Sequence, residues 1–202
     1  MHPNRAFAWE DREALLRFVA DHPFAHIFTG SGEGLFVVHA PVLATDDGNV
    51  LFHVAKRNCI AAHLPDRQVL ISISGREAYH SANWYASENQ VPTWHYEAVE
   101  IEGVARALSE EELVDLLDRL SERFEQLHQP KQPWTRGKME PGKFEAMTRA
   151  IVGFEVVPSE WRGTRKFNQH KAGEDLAATI AGQTEAGRED IVQAIGEVSA
   201  TK

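Results

Sequence analysis

Two stretches of this chain combine residue types that can do chemistry. The first is Phe52-His53-Val54-Ala55-Lys56-Arg57-Asn58, which leaves a strand and enters a helix expected over Asn58 to Leu64, with Asn58 as its N-cap. Adjacent cations, free backbone N–H groups and the positive end of a helix dipole together suit a phosphate. Basic residues are also common as solvated charges at element ends, so Lys56 and Arg57 have that plainer reading too. The second stretch carries the large rings Tyr79, Trp84, Tyr85, Trp94 and Tyr96, close to Pro92. Their flat faces can stack a flavin or another planar ligand, with Asn83, Ser87, Gln90 and Thr93 supplying polar contacts to its edges. The same rings can instead plug a barrel end, because buried aromatics usually serve packing.

Other chemistries find less support. Ten histidines invite a metal, yet no pair has the H-E-x-x-H spacing and no C-x-x-C exists, which leaves only the sequence-distant His39, His53 and His95. A Ser-His-Asp hydrolase would need a G-x-S-x-G elbow, which is absent. Gly30-Ser31-Gly32-Glu33-Gly34 has the wrong spacing for a dinucleotide fingerprint or a P-loop and reads as a turn. The single Cys59 excludes an internal disulfide and is expected to be a small buried hydrophobe.

The elements that must position these residues follow from periodicity. Ala14, Leu15, Phe18 and Val19 recur at helical spacing over Asp11 to Ala20, and His22-Pro23 ends that helix. Strands are expected over Phe24–Thr29, Leu35–Leu43 and Val50–Val54, joined by the turns 31–34 and 46–49 as an antiparallel meander. Gln68–Ser74 alternates with Val69, Ile71 and Ile73 on one face, and Thr93–Ala107 alternates likewise through Val99 and Ile101. Between them, Arg76 to Pro92 has no clean period and reads as a long loop. Ser109-Glu110-Glu111-Glu112 has capping-box spacing, and Leu113, Leu116, Leu117, Leu120, Phe124 and Leu127 form a helical stripe behind it. A Pro-containing connection over 129–137, a short helix over Lys143–Ala150 and a returning strand over Ile151–Val157 follow. From Glu174 the Ala-rich tail is expected to form two weak helices broken at Gly182.

Composition bounds the function. With 202 residues, 43% hydrophobic and 25% charged, the chain can bury a substantial core without metal or disulfide staples. No secretory signal pattern and no membrane-length apolar run is visible, so a soluble, cytoplasmic protein is expected. A net charge of -9 opposes nonspecific attraction to nucleic acid, which makes direct DNA binding doubtful. The basic residues Arg162, Arg165, Lys166 and Lys171 nevertheless crowd one short segment, where a local anion site can form.

Several segments together resemble PaiB-type negative transcriptional regulators, a bacterial family within the FMN-binding split barrels. Phe52–Asn58 is similar to their H-x-A-[RK]-x-N, Ala78-Tyr79-His80-Ser81-Ala82-Asn83-Trp84-Tyr85 to A-Y-x-S-x-x-W-Y, and Val91-Pro92-Thr93-Trp94-His95-Tyr96 to V-P-T-W-N-Y. Arg149–Glu155 and Lys166–Lys171 match in the same order. His95 replaces the usual Asn, and Asn83 a common Pro. The resemblance implies a mainly β (α+β) fold, an antiparallel six-stranded split β-barrel with flanking helices, over residues 1–171, followed by a helical tail over 172–202. It implies FMN held at a homodimer interface. His53, Lys56, Arg57 and Asn58 would belong to the phosphate end, and Trp84, Tyr85, Thr93, Trp94 and Tyr96 would border the ring system. Lys166, Gln169 and Lys171 would close the pocket from the partner subunit. It implies a regulatory role; an FMN-dependent oxidoreductase related to flavin reductases or pyridoxine phosphate oxidases is the alternative, and a haem-binding split barrel is a second.

Overall fold

The computed structural model describes residues 2–128 and 132–200. Among the described residues there are seven strands: β1 (Ala8–Trp9), β2 (Phe24–Ser31), β3 (Gly34–Ala44), β4 (Val50–Ala55), β5 (Arg67–His80), β6 (Thr93–Ala107) and β7 (Ile151–Lys166). They pair in the order β1-β7-β4-β3-β2-β5-β6, with β7 pairing β6 as well. That extra pairing turns β2 to β7 into a closed ring of six, as expected of a split barrel, and the seventh strand is the two-residue β1 laid on β7. Ring closure removes the exposed edges that an open sheet would present. At Gly103 of β6 an added Cβ would fall 2.4 Å from the Val157 carbonyl oxygen of β7, so only glycine allows this approach.

The chain divides into two compact units, and β5, β6 and β7 contribute residues to both. The larger unit comprises residues 16–73 and 101–161. Its β2, β3 and β4 follow the expected meander. Alternation places Ala25, Ile27, Val42, Phe52, Val69, Ile71, Ile101 and Phe154 in the core, and the Phe52 and Phe154 rings stack at 5.5 Å. The other face of β3 and β4 is covered by α2 (Glu110–Glu125), whose Leu116 and Leu120 pack on Leu43 and Leu51. Each such leucine contributes about 1.5–3 kcal/mol by leaving water. The helix starts where the sequence predicts: Ser109 Oγ accepts from Glu112 N at 3.2 Å, and a Glu112 carboxylate oxygen accepts from Ser109 N at 2.7 Å. The short helix α3 (Lys143–Thr148) is present too. Residues 129–131 of the expected connection lie outside the described residues.

The smaller unit comprises residues 2–15, 74–100 and 162–200 of the described chain. The helix α1 (Arg12–Asp21) begins in it. The tail helices are α4 (Gly173–Glu185) and α5 (Glu189–Ala200). Ile191, Ala194, Ile195 and Val198 of α5 form a core with Ala78 and Phe167. Two expectations fail here. Arg76 to His80 is not loop: β5 continues to His80, because Arg76 and His80 find partners inside this unit, and the loop shrinks to 81–92. Gly182 does not break the tail either. It lies inside α4, where an added Cβ would fall 2.5 Å from the Trp84 ring, and the break comes at Gly187 with φ 71°. Returning strand β7 likewise runs well past the expected Val157, to Lys166.

Candidate functional site

The larger unit carries the cationic turn. After β4 the chain turns tightly, Lys56 N donating to Ala150 O and Asn58 N to Ala55 O, both at 2.9 Å. Asn58 is the N-cap, its Oδ1 accepting from Ile60 N at 3.2 Å, but the element it caps is a five-residue 3-10 helix, Cys59–His63, in place of the expected α-helix. So short a 3-10 segment has little dipole to offer, and that part of the expectation is withdrawn. The side chains remain: Lys56 and Arg57 make no ion pair or hydrogen bond among the described residues, and both stand in water. Beside them His53 is half-buried, its Nδ1 has no hydrogen-bond partner among the described residues, and burial pushes its pKa down. Cys59, expected in the core, is exposed at the start of the 3-10 helix, with Sγ 3.7 Å from Asn58 Oδ1.

The smaller unit carries the rings. None of the five is fully buried, and Tyr79 and Trp94 are 50% and 54% exposed, so these rings do not plug a core. Tyr79 and Trp94 meet edge to face at 6.0 Å. The loop 81–92 is held by side chains from later in the chain. Asn168 donates to the Tyr85 hydroxyl at 2.8 Å, Ser87 donates through N and Oγ to Asp175 at 2.9 and 2.7 Å, and Lys171 Nζ donates to Gln90 at 2.8 Å while lying 4.9 Å from the Tyr85 ring centre. Lys166 Nζ donates to Thr93 Oγ1 and, at 2.9 Å, to the Trp94 carbonyl. Burial lowers its pKa. Thr93, Trp94 and Tyr85 are therefore gathered around Lys166 and Lys171 of the same chain, while Trp84 lies against His80 at 5.2 Å and beside Gly182. Gln169 is buried, and its amide serves the backbone, accepting from Phe167 N at 2.9 Å and donating to the Ala6 carbonyl at 3.0 Å.

Behind the loop lie His95, considered from sequence as a metal ligand, and groups that sequence reasoning passed over. His80 and His95 are both fully buried and stack at 4.9 Å; His80 Nε2 and both ring nitrogens of His95 lack hydrogen-bond partners among the described residues. Burial first, then neighbouring Lys171, takes His80 down to about 4; burial and then His80 take His95 to about 3. Both are neutral near neutrality. Glu97, 2% exposed, is bound by Arg76 at 2.7 Å and Arg165 at 3.2 Å, and Arg76 reaches Glu197 of α5 at 2.8 Å. A signal for this existed: Glu97 has the inward parity of Val99 and Ile101, and an acid at such a position needs cations. No group of three His, Cys, Asp or Glu side chains among the described residues is placed to hold a metal.

Comparison with known proteins supplies the context. The sequence pattern of a family described as "Putative FMN-binding domain" matches residues 1–160. The protease synthase and sporulation protein PAI 2 of Bacillus subtilis (strain 168) is 34% identical over 184 residues, covering 89% of this chain and 87% of that protein. Among solved structures, the FAD and heme binding protein of Mycobacterium smegmatis superposes with a TM-score of 0.61 at 13% identity, covering 87% of this chain and 79% of that one. A flavocytochrome of Azotobacter vinelandii gives 0.57 at 16% identity, covering 85% and 73%. At these identities the structural likeness speaks for the fold.

Proposed function

Since this chain belongs to the FMN-binding domain family that its sequence matches over residues 1–160, we propose that the turn from His53 to Asn58 seats the FMN phosphate and that the rings of the aromatic loop border the isoalloxazine. The observation that carries the phosphate assignment is a pair of cations, Lys56 and Arg57, whose side chains form no ion pair among the described residues, beside a buried His53 Nδ1 that lacks a partner among them. A phosphate dianion supplies what all three want: negative charge for the cations and an acceptor for the imidazole N–H. Trp84, Tyr85, Thr93, Trp94 and Tyr96 offer faces and edges to a flat ring, and Lys166 fixes Thr93 and the Trp94 carbonyl in place. Gln169 acts behind them by holding the backbone at Phe167. FMN, when bound, supplies electron-transfer chemistry; the chain binds and orients it. Titration of FMN into the Lys56→Ala/Asn58→Ala double variant, followed by flavin fluorescence, is expected to show affinity reduced at least about tenfold, one charge-assisted hydrogen bond being worth that much. Unchanged affinity in a folded protein removes the assignment.

The working form in this reading is a homodimer. Register puts Phe24 opposite Pro41, His26 opposite His39, Phe28 opposite Val37 and Gly30 opposite Leu35, so β2 and β3 present one face of exposed apolar groups. Phe24 is 63% and Leu35 92% exposed, and a largely apolar sheet face of this kind, with the His26–His39 pair in its middle, fits a second copy of itself. Phe28→Asp is expected to yield monomers in sedimentation. For the cellular role, the likeness to PAI 2 favours regulation, and the net charge of -9 favours regulation without direct grip on DNA. His80 and His95 are held neutral and out of solvent, which speaks against either as the acid of an oxidoreductase. Flavin reduction by NADH or NADPH in stopped flow separates these readings: inertness supports the regulatory role, and turnover the enzyme.

A further inference from the structure

We propose that the larger unit holds a second small-molecule site, for an organic anion with an apolar body, in the cleft where α2 begins. The cleft has a volume of about 300 Å³, at the lower end of small-ligand sites. Leu108, Leu113, Val114, Phe144, Ile151 and Val152 line it with hydrocarbon. Three cations, Lys56, Arg136 and Arg149, line it as well, against two carboxylates, Glu110 and Glu145.

The cations are not equivalent. Arg136 is already engaged, with Asp118 at 3.3 Å and over the Phe144 ring at 5.3 Å. It forms a fixed wall. The side chains of Arg149 and Lys56 make no ion pair or hydrogen bond among the described residues, although the Arg149 backbone N–H donates to the Met147 carbonyl at the end of α3. The fold brings their main chains together: Ala55 stands opposite Ile151 in the β4–β7 register, and Lys56 N donates to Ala150 O at 2.9 Å. Two cations whose side chains form no ion pair among the described residues thus enter one cleft from adjoining strand ends beside an apolar floor. An anionic head between Arg149 and Lys56, with a hydrocarbon or aromatic body on the floor, satisfies both features. With Glu110 and Glu145 on the same lining and Arg136 already paired with Asp118, a singly charged carboxylate fits better than a dianion.

Lys56 is shared with the proposed phosphate seat, so the test is built on Arg149 and Val114. Calorimetry on the full chain, with and without saturating FMN, uses 4-phenylbutyrate, its neutral alcohol 4-phenylbutanol, and inorganic phosphate. The expected result is binding of 4-phenylbutyrate, weakened about tenfold or more by Arg149→Ala. Val114→Phe, which fills the floor, is expected to abolish it. FMN affinity and the urea midpoint stay unchanged in both variants. Equal binding of the neutral alcohol overturns the anion assignment, and equal binding of inorganic phosphate overturns the role of the floor. If Arg149→Ala weakens FMN in parallel, the cations belong to the flavin and there is no second site. Failure of the Lys56→Ala/Asn58→Ala experiment alone leaves this proposal standing, because neither variant used here touches that turn.

Discussion

The cationic turn after β4 and the aromatic loop before β6 are held in opposite ways. The loop is fastened by side chains of the same chain: Asn168 on Tyr85, Asp175 on Ser87, Lys171 on Gln90, Lys166 on Thr93. In the turn, backbone bonds and the Asn58 cap set the shape while the side chains of Lys56 and Arg57 have no partner among the described residues. Surfaces meant to stack a flat ring gain from being rigid beforehand, since ordering them on binding would cost affinity. Cations meant for a phosphate must be free of acids, or the ligand would have to displace an ion pair. The difference teaches that stability and binding are divided between the two regions, and variants can separate them.

The largest effect is expected at Glu97. Glu97→Ala leaves Arg76 and Arg165 facing each other without their shared carboxylate, costing about 3 kcal/mol or more in urea unfolding. A loss below about 1 kcal/mol would mean that packing of α5, and not this charge network, holds the smaller unit. Next comes pH. His80 and His95 titrate at about 4 and about 3 when folded, against 6.5 for a free imidazole, so the unfolded chain binds more protons between those values. Their contribution is complete above 6.5 and is lost as pH falls towards 4. Between pH 7.5 and 5 each is expected to remove about 2 kcal/mol. The Trp fluorescence midpoint in urea reads this, and His95→Asn should roughly halve the slope. A flat profile would show that the pair is not buried as neutral rings.

The strands were legible because alternation of Val69, Ile71 and Ile73, or of Val99 and Ile101, depends only on a strand with one face in the core, whereas their closure into a ring of six was implied by the family resemblance alone. The α2 start was legible because Ser109 and Glu112 satisfy each other locally. What escaped reading depended on partners distant in sequence. Arg76 looks like loop until Glu97 and Glu197 are beside it, and Gly182 looks like a helix breaker until Trp84 fills the space a side chain would take. The rings of the site could be picked out by type; the residues that fix them, Asn168 and Asp175, could not, since their partners lie 83 and 88 positions away.

The finest test sets one residue of each region against the other. Asn168 sits at φ 59°, a left-handed conformation that glycine adopts freely, so Asn168→Gly keeps the backbone and removes the bonds to Tyr85 and Thr179. It is expected to cost about 1–2 kcal/mol of stability, with Tyr85 left seeking a donor. Arg57→Ala removes a solvated charge and should change stability by less than about 0.5 kcal/mol. For FMN affinity the order reverses in kind: Arg57→Ala weakens the phosphate end directly and more steeply at low salt, whereas Asn168→Gly acts through loop order and is insensitive to salt. Equal salt dependence in the two variants would erase the distinction between a region that is fastened in advance and one that waits for its ligand.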